Sequence, residues 1–422
     1  MALKDNASLA LIPAAYKTSK IYSALPTDGD GDFTFTRSGN ATRINKAGLV
    51  ETMGTNIGRL NYDLTNGTPA SCPSLLLEPQ RTNQFTNSEN LANIDFRTNS
   101  TITTDNIIAP NGSLTADKTT QTNGGYLRET VSVSNGTTYS FSVFLKKGDL
   151  RYAVIRSLFS QNGTTPANSN NVFDLDNGSV IYTGTDIVNA SIEAYPNDWF
   201  RCSFVSTASA TGSASFVDFY FSSSSSGTQS SGTAGFGYGW GMQLEAGTYP
   251  TSYIPTSGSA VTRAADFVSG GGDANLFNDS EGTLFVEAKV SDNNTSLVSV
   301  INISDGTLAN RVLFQWGGAL NRLRTYVVVA YSTQTLIETN SYNTEGYLKI
   351  AVRYKTNDVA FYVNGTKINF DNNANTFPEG TLNTIDFTNG NLGSDYYFNG
   401  NVKQLMYFDT ALSDSELQTL TS

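Results

Sequence analysis

Nine Asn-Gly pairs punctuate the chain, at 66–67, 111–112, 123–124, 135–136, 162–163, 177–178, 364–365, 389–390 and 399–400. Both residues tolerate positive φ, which the two-residue type I′ turn of a tight hairpin requires. Most of the pairs stand between short stretches of alternating character. In "TTYSFSVFLKKG" (137–148), Tyr139, Phe141, Val143 and Leu145 alternate with Ser140, Ser142 and Phe144. "SFVDFYF" (215–221) and "FGYGWGMQLEAG" (236–247) repeat the style. A period of two with frequent turns is the pattern of antiparallel sheets, and it predicts an all-β chain of stacked sandwiches. The one helix signal is terminal: Ser413-Asp414-Ser415-Glu416 reads as a capping box opening "SDSELQTL".

At 422 residues the chain is long enough for two or three domains. Residues 1–80 are broken repeatedly by proline and turn residues, with one clear strand at "FTFTR", and are expected to hold little core of their own. Strand patterns begin near residue 81. A Ser/Gly/Ala-rich stretch over 257–273, with the triple glycine 270–272, reads as a connection. The expected organisation is an N-terminal attachment or oligomerisation segment (1–80), a first jelly-roll sandwich (81–264), a linker (265–281) and a second sandwich (282–422), in tandem.

The chain has no histidine. This removes Ser-His-Asp and Cys-His catalysis and the ordinary zinc sites, leaving carboxylates, tyrosine, lysine or an oxygen-bound hard cation. The formal charge of −11, with no basic run, argues against a nucleic-acid partner. The longest apolar run, "YVVVAY" (326–331), suits one buried strand and not a membrane span. The N-terminus, with Asp5 and Pro13, makes a poor secretion signal, so folding in a cytoplasm is expected. Cys202, in phase with Phe200 and Phe204, reads as a buried free thiol.

Asp28, Asp30 and Asp32 alternate as in a calcium loop, but Phe33 and Gly39 stand where such a loop needs Gly and Glu; a solvated turn is the better reading. Trp240 shares its alternation face with Met242 and Leu244 and is expected in a core. Trp199 falls in phase with Arg201 and Ser203, opposite Phe200, Cys202 and Phe204, a face that could stack on a sugar ring or could close the sandwich edge. Trp316, at the end of "RVLFQW", is in phase with core residues yet stands at a rim, and Tyr396 and Tyr397 fall in a turn-rich loop. Trp199, Trp316, Tyr396 and Tyr397 are therefore the candidate carbohydrate contacts. No strand of the second sandwich carries two acids at i, i+2, so no catalytic residue is assigned and the chain is read as a non-enzyme. No metal site and no cofactor are assigned.

Two resemblances add to this. "IAVRYKTNDVAFYVNGTKI" (350–368) and "FNGNVKQLMYFDTALSDSELQTL" (398–420) resemble the concanavalin A-like, laminin-G-like jelly roll. "YSFSVFLKKG" (139–148), "DWFRCSF" (198–204) and "WGMQLEAGTYPTSYIPTSG" (240–258) resemble the carbohydrate-binding-module-like jelly rolls of bacteriophage virion proteins. "SLALIPAAYKTSKIYSALP" (8–26), "GDGDFTFTRSGNATRINKAGLVE" (29–51) and "CPSLLLEPQRTN" (72–83) look like the openings of phage fibre and spike proteins. The resemblance implies a virion-surface structural protein assembled in the host cytoplasm, a fibre, spike or capsid appendage. It implies a homo-oligomer, a trimer foremost, attached to other virion proteins through residues 1–80 and touching host-surface polysaccharide. It also leaves room for a structural calcium ion in the second sandwich. The alternatives are a virion-associated depolymerase or glycosidase, and a scaffold with no ligand. Residues 1–80 are expected to order only against another chain.

Overall fold

The computed structural model describes residues 3–159, 170–209, 212–229, 231–292, 298–389 and 396–422; the Asn162-Gly163 pair and Gly390 lie outside them. Among the described residues all regular structure is strand, apart from two 3-10 turns and the C-terminal helix Asp414–Thr421. That helix opens on the expected capping box, with Ser413 N–H donating to Glu416 at 2.8 Å.

The Asn-Gly turns divide by geometry. Asn66-Gly67 and Asn364-Gly365 both place two residues at positive φ, as a type I′ hairpin requires. At Gly112 and Gly178 only the glycine is positive, so these hairpins close through other turns; at Gly136, also positive alone, the turn joins two strands that do not pair with each other. Asn123-Gly124 makes no hairpin. It lies inside the twenty-residue strand Leu114–Val133, at the corner where that strand passes from one sheet layer to the other.

The first sandwich is a ten-stranded sheet folded over on itself. One layer runs Ser179–Tyr182, Asn170–Asp174, Tyr152–Leu158, Gly212–Ser222 and the far half of Leu114–Val133. The other runs Asn189–Tyr195, Trp199–Thr207, Thr138–Lys147, Gly235–Ala246 and the near half of the same strand. Between the layers Phe141, Leu145, Phe204, Leu244, Ile155, Phe173 and Phe219 form one core, with the free thiol of Cys202 inside it.

The second sandwich faces a five-stranded sheet (Ser332–Thr339, Leu323–Val329, Arg311–Gly317, Val298–Ser304, Thr384–Asp386) against an eight-stranded one. The strand Gly400–Phe408 is central to the larger sheet. It pairs with Glu281–Val290 along one edge. Along its other edge it pairs with Ser74–Leu77 over its first half and with Leu9–Leu11 over its second.

This pairing changes the domain organisation read from the sequence. Residues 1–80 are not an open segment waiting for another chain. Leu9, Leu11, Ile21, Phe33, Phe35, Leu60, Leu75 and Leu77 belong to the same core as Leu284, Trp316, Val352 and Tyr407. Short apolar strands flanked by prolines cannot close a core alone, but they complete one by covering the edge of an existing sheet. The first sandwich is thus inserted into a domain built from both ends of the chain. It enters at Arg81–Asn83 and leaves at Val261–Arg263, strands that pair with each other.

An ionic cluster locks this junction. Arg37 bonds Asp266 at 3.0 Å, Arg59 bonds both Asp266 and Glu78 (2.6 Å to Glu78), and Arg263 bonds Glu78 at 2.6 Å. All five side chains are buried. The spare donors go to backbone carbonyls: Arg37 to Gly54 at 2.6 Å, Arg59 to Thr42 at 3.0 Å, Arg263 to Pro79 at 2.5 Å. Three guanidiniums around two carboxylates are tolerable in the interior because every Nη group of the three has a fixed acceptor, although the buried Nε groups of Arg59 and Arg263 have none. Arg59 and Arg263 hold the Glu78 carboxyl far below the usual carboxylate range despite its burial.

Candidate functional site at the junction of the two sandwiches

The peptide leaving the first sandwich, "TYPTSYIPTSG" (248–258), carries two prolines and cannot join a sheet as an inner strand. Side chains take the place of a ladder. Gln243 accepts from Ile254 N–H at 2.6 Å and donates to Thr251 O at 3.3 Å. Glu245 accepts from Thr251 N–H at 2.9 Å, Glu78 accepts from Ser252 N–H at 2.7 Å, and Arg201 donates to Thr251 O at 2.7 Å. The peptide is thereby pinned across the outer face of one sheet layer.

Beside it opens a cleft of about 380 Å³ where the inserted sandwich, the N-terminal strands and the second sandwich meet. Glu193, Tyr195 and Arg201 come from the first sandwich; Arg43, Asn61 and Asp63 from the N-terminal segment; Lys289, Ser291, Glu345 and Asn401 from the second sandwich. Tyr249 to Tyr253 form a wall. Lys289 pairs with Asp63 at 3.4 Å, and Tyr347 donates to Asp63 at 2.5 Å. Arg43 is clamped by Glu51 at 2.8 Å and by Leu60 O at 3.1 Å.

Glu193 reaches solvent at the mouth, yet enough protein surrounds it that desolvation holds its carboxyl above the ordinary range; Arg201, Tyr195 and Lys289 pull the other way, and Asp63 adds to the rise. Burial, with Glu193 alongside, pushes the Tyr195 phenol far up. The cleft thus alternates cations, carboxylates and neutral amide or hydroxyl groups over a few ångströms, with aromatic rings in its walls. Such a surface suits a ligand that donates and accepts many hydrogen bonds along its length and carries apolar C–H faces.

None of the four aromatic residues singled out from the sequence lines this cleft. Trp199 is 1% exposed. It lies on the face its alternation indicated, but that face is covered: Val50, Ile44 and Leu64 of the N-terminal segment and Tyr253 of the exit peptide pack there with Phe144 and Tyr195. Its indole N–H is spent on Ile108 O at 3.1 Å. Trp316 is also 1% exposed, edge-on to Phe398 at 5.2 Å in the core of the second sandwich. Neither can stack on a sugar. Tyr397 packs edge-on against Phe267 at 4.6 Å. Tyr396 is 47% exposed and stays available to a ligand or partner, away from the cleft.

Trp240 is buried as expected but not beside Met242 and Leu244. Gly241, at φ +66°, makes a bulge that flips the phase, so Trp240 packs on Tyr253 at 4.6 Å in the outer cluster. Asp32 is occupied by Lys20 at 2.9 Å and by Ser23 N–H at 2.9 Å. Among the described residues no group of three or more His, Cys, Asp or Glu side chains converges to hold a metal.

Sequence reasoning missed Glu193, Arg201, Asp63 and Lys289, which are more than a hundred residues apart in places. Two signals were present. Glu78 follows the apolar run "SLLL", and Arg263 and Asp266 bracket "AA" in the Ser/Gly/Ala-rich connection; ionisable residues at such positions need partners.

Comparison with known proteins bears on the fold. Residues 264–418 match the Laminin_G_3 model, described as the concanavalin A-like lectin/glucanases superfamily. A search of curated proteins finds no match. Among solved structures, the CBM40 of the Ruminococcus gnavus IT-sialidase bound to alpha2,3 sialyllactose is 17% identical, covering 36% of this chain and 94% of its own, with a TM-score of 0.30. The NanB sialidase from Streptococcus pneumoniae is 15% identical, over 35% of this chain and 25% of its own, at 0.30. Domain 4 of AbnA, a GH43 extracellular arabinanase from Geobacillus stearothermophilus in complex with arabinotriose, is 14% identical, over 37% and 73%, at 0.29. The protein is all-β, and its C-terminal part is a concanavalin A-like domain whose larger sheet is completed by N-terminal strands outside the matched span.

Proposed function

We propose that the protein is a non-enzymatic glycan-contacting structural protein, and that the junctional cleft is where it meets sugar. One observation carries this reading: the cleft brings Glu193, Arg201, Asp63 and Lys289 together with Asn61, Asn401 and the Tyr249–Tyr253 wall, a mixed polar and aromatic surface assembled from all three parts of the chain. Hydroxyl-rich ligands are recognised by such alternating donors and acceptors. The finer reading, resting on the sequence resemblance, is a bacteriophage fibre, spike or capsid appendage on the virion surface. There it would act as one copy of a homo-oligomer, a trimer foremost, bound to other virion proteins and touching host-surface polysaccharide.

The test is titration of the full chain with host-surface polysaccharide fragments, comparing wild type with Glu193→Gln and Lys289→Ala, both solvent-reachable positions. Saturable binding weakened by about tenfold or more in either variant supports the cleft. Binding unaltered in both, or none to any polysaccharide, refutes it. Sedimentation velocity addresses the oligomer.

A second reading is a glycoside hydrolase, favoured by one feature: Glu193, held protonated more readily than an ordinary glutamate, shares the cleft with Asp63. A raised acid and a second carboxylate are what glycoside hydrolysis employs. New reducing ends released by wild type and not by Glu193→Gln would establish it.

A further inference from the structure

On the side of the first sandwich away from the cleft, three strands place charged residues directly opposite one another. Arg128 of Leu114–Val133 pairs across to Asp218 of Gly212–Ser222, and Asp218 pairs across to Arg156 of Tyr152–Leu158. Asp218 is fully buried beneath the two guanidiniums. Arg128 grips it with Nε at 2.6 Å and Nη2 at 2.9 Å; Arg156 grips it with Nε at 3.0 Å and with Nη2. The carboxylate is saturated by two forks, and one positive charge is left over. Among the described residues neither arginine has a hydrogen-bond partner for Nη1. Both side chains reach solvent, at 26% and 14% exposure.

The pair is also rigid. The Arg128 guanidinium lies over the Phe216 ring at 3.5 Å and near Tyr126 at 5.2 Å, and Arg156 shares the same Phe216 at 5.9 Å. Phe96, directly across from Arg128 on the edge strand, is 56% exposed. A ladder that served only to bind strands together would need one cation for its one carboxylate. A second, oriented cation with free donors next to an exposed ring, on a chain of net charge −11, is a surplus that a bound anion would use.

We propose that this face is a second ligand site, independent of the junctional cleft, for a carboxylate-bearing saccharide. The sugar carboxylate would accept from the two Nη1 groups, and the apolar side of the ring would lie against Phe96 and Tyr126. Arginine is suited to this because its planar fork matches a carboxylate, and Asp218 prepays the ordering of both side chains.

The experiment is calorimetric titration of the full chain with tetragalacturonate and with its methyl ester, which keeps the rings and removes the charges. The acid is expected to bind, to weaken as salt rises, and to lose about tenfold in affinity in Arg128→Gln. Arg128→Lys, which keeps the charge without the fork, should recover only part of it. Thermal melts of both variants check that Arg156 still holds Asp218. A parallel arm with 3′-sialyllactose against lactose decides whether the carboxylate is that of a uronate or of a sialate. Equal binding of acid and ester, unchanged affinity in Arg128→Gln, or no binding of either acidic sugar would overturn the proposal. So would abolition of acid binding by Glu193→Gln and Lys289→Ala, which would put the carboxylate in the cleft. Failure of neutral sugars to bind would count against the cleft alone.

Discussion

Replacing Glu78 by glutamine tests the junction most directly. The carboxylate, almost wholly buried, accepts from Arg59 and Arg263 at 2.6 Å each and from Ser252 N–H and Oγ–H at 2.7 Å each. Glutamine keeps the shape and one acceptor but leaves three buried guanidiniums, those of Arg37, Arg59 and Arg263, facing Asp266 alone. Removing one partner of a buried pair typically costs about 3–5 kcal/mol. For a domain of this size that is roughly 6–20 °C in Tm. The pH dependence carries the sign. Because the folded-state carboxyl lies far below its unfolded value, its stabilisation is full above the ordinary glutamate range, near pH 4.3, and is lost as pH falls below it. The stability gap between wild type and Glu78→Gln should therefore be widest at neutral pH and shrink on acidification, since glutamine does not titrate. Urea unfolding followed by near-UV circular dichroism between pH 3 and 7 measures both. A gap below about 0.5 kcal/mol at pH 7, the level of an ordinary surface change, or one that ignores pH, would refute the reasoning.

Deleting residues 1–80 should strip Leu9–Leu11 and Ser74–Leu77 from the Gly400–Phe408 strand and make the remainder aggregate. A chain lacking 84–260, with Asn83 joined to Val261 through a short Gly/Ser turn, should stay soluble; size-exclusion chromatography compares the two. Trp199→Ala should destabilise the first sandwich by about 3–5 kcal/mol without changing the glycan affinity of the folded fraction, checked by melts and titration. Cys72 should react with a thiol reagent in the native protein, whereas Cys202, whose thiol burial pushes up, should react only in denaturant. Binding in the cleft should weaken as pH falls through the raised Glu193 carboxyl, at a higher pH than for an ordinary glutamate, and Glu193→Gln should remove that dependence.

Period-two alternation was enough to foresee both sandwiches, because it reports which face of a strand is apolar. It could not report what covers that face. Trp199 shows the limit: its phase is right, yet the cover comes from residues 44–64, distant in sequence. Trp240 shows another, since one glycine bulge reverses the alternation from which its neighbours were inferred. The N-terminal segment looked irregular because each of its strands is two to four residues long, and several of them find their partners only far along the chain, Leu9–Leu11 and Ser74–Leu77 on Gly400–Phe408 and Phe33–Thr36 on Phe267–Ser269. The cleft was illegible for the same reason. Its ionisable residues are unremarkable one by one, and only the return of Asp63 and Lys289 to the side of Glu193 makes them a site.

The hosting of one sandwich inside another also dictates an order of events as the chain is made. The strand Leu9–Leu11 has its partner at Leu405–Tyr407, so it stays exposed until those residues have emerged. The guest, whose strand pairings and inner core all lie between its own two hinges, can form these first, and in doing so it draws Asn83 and Val261 side by side. The guest then acts as a splint, shortening the loop that the host must close before its late partner arrives.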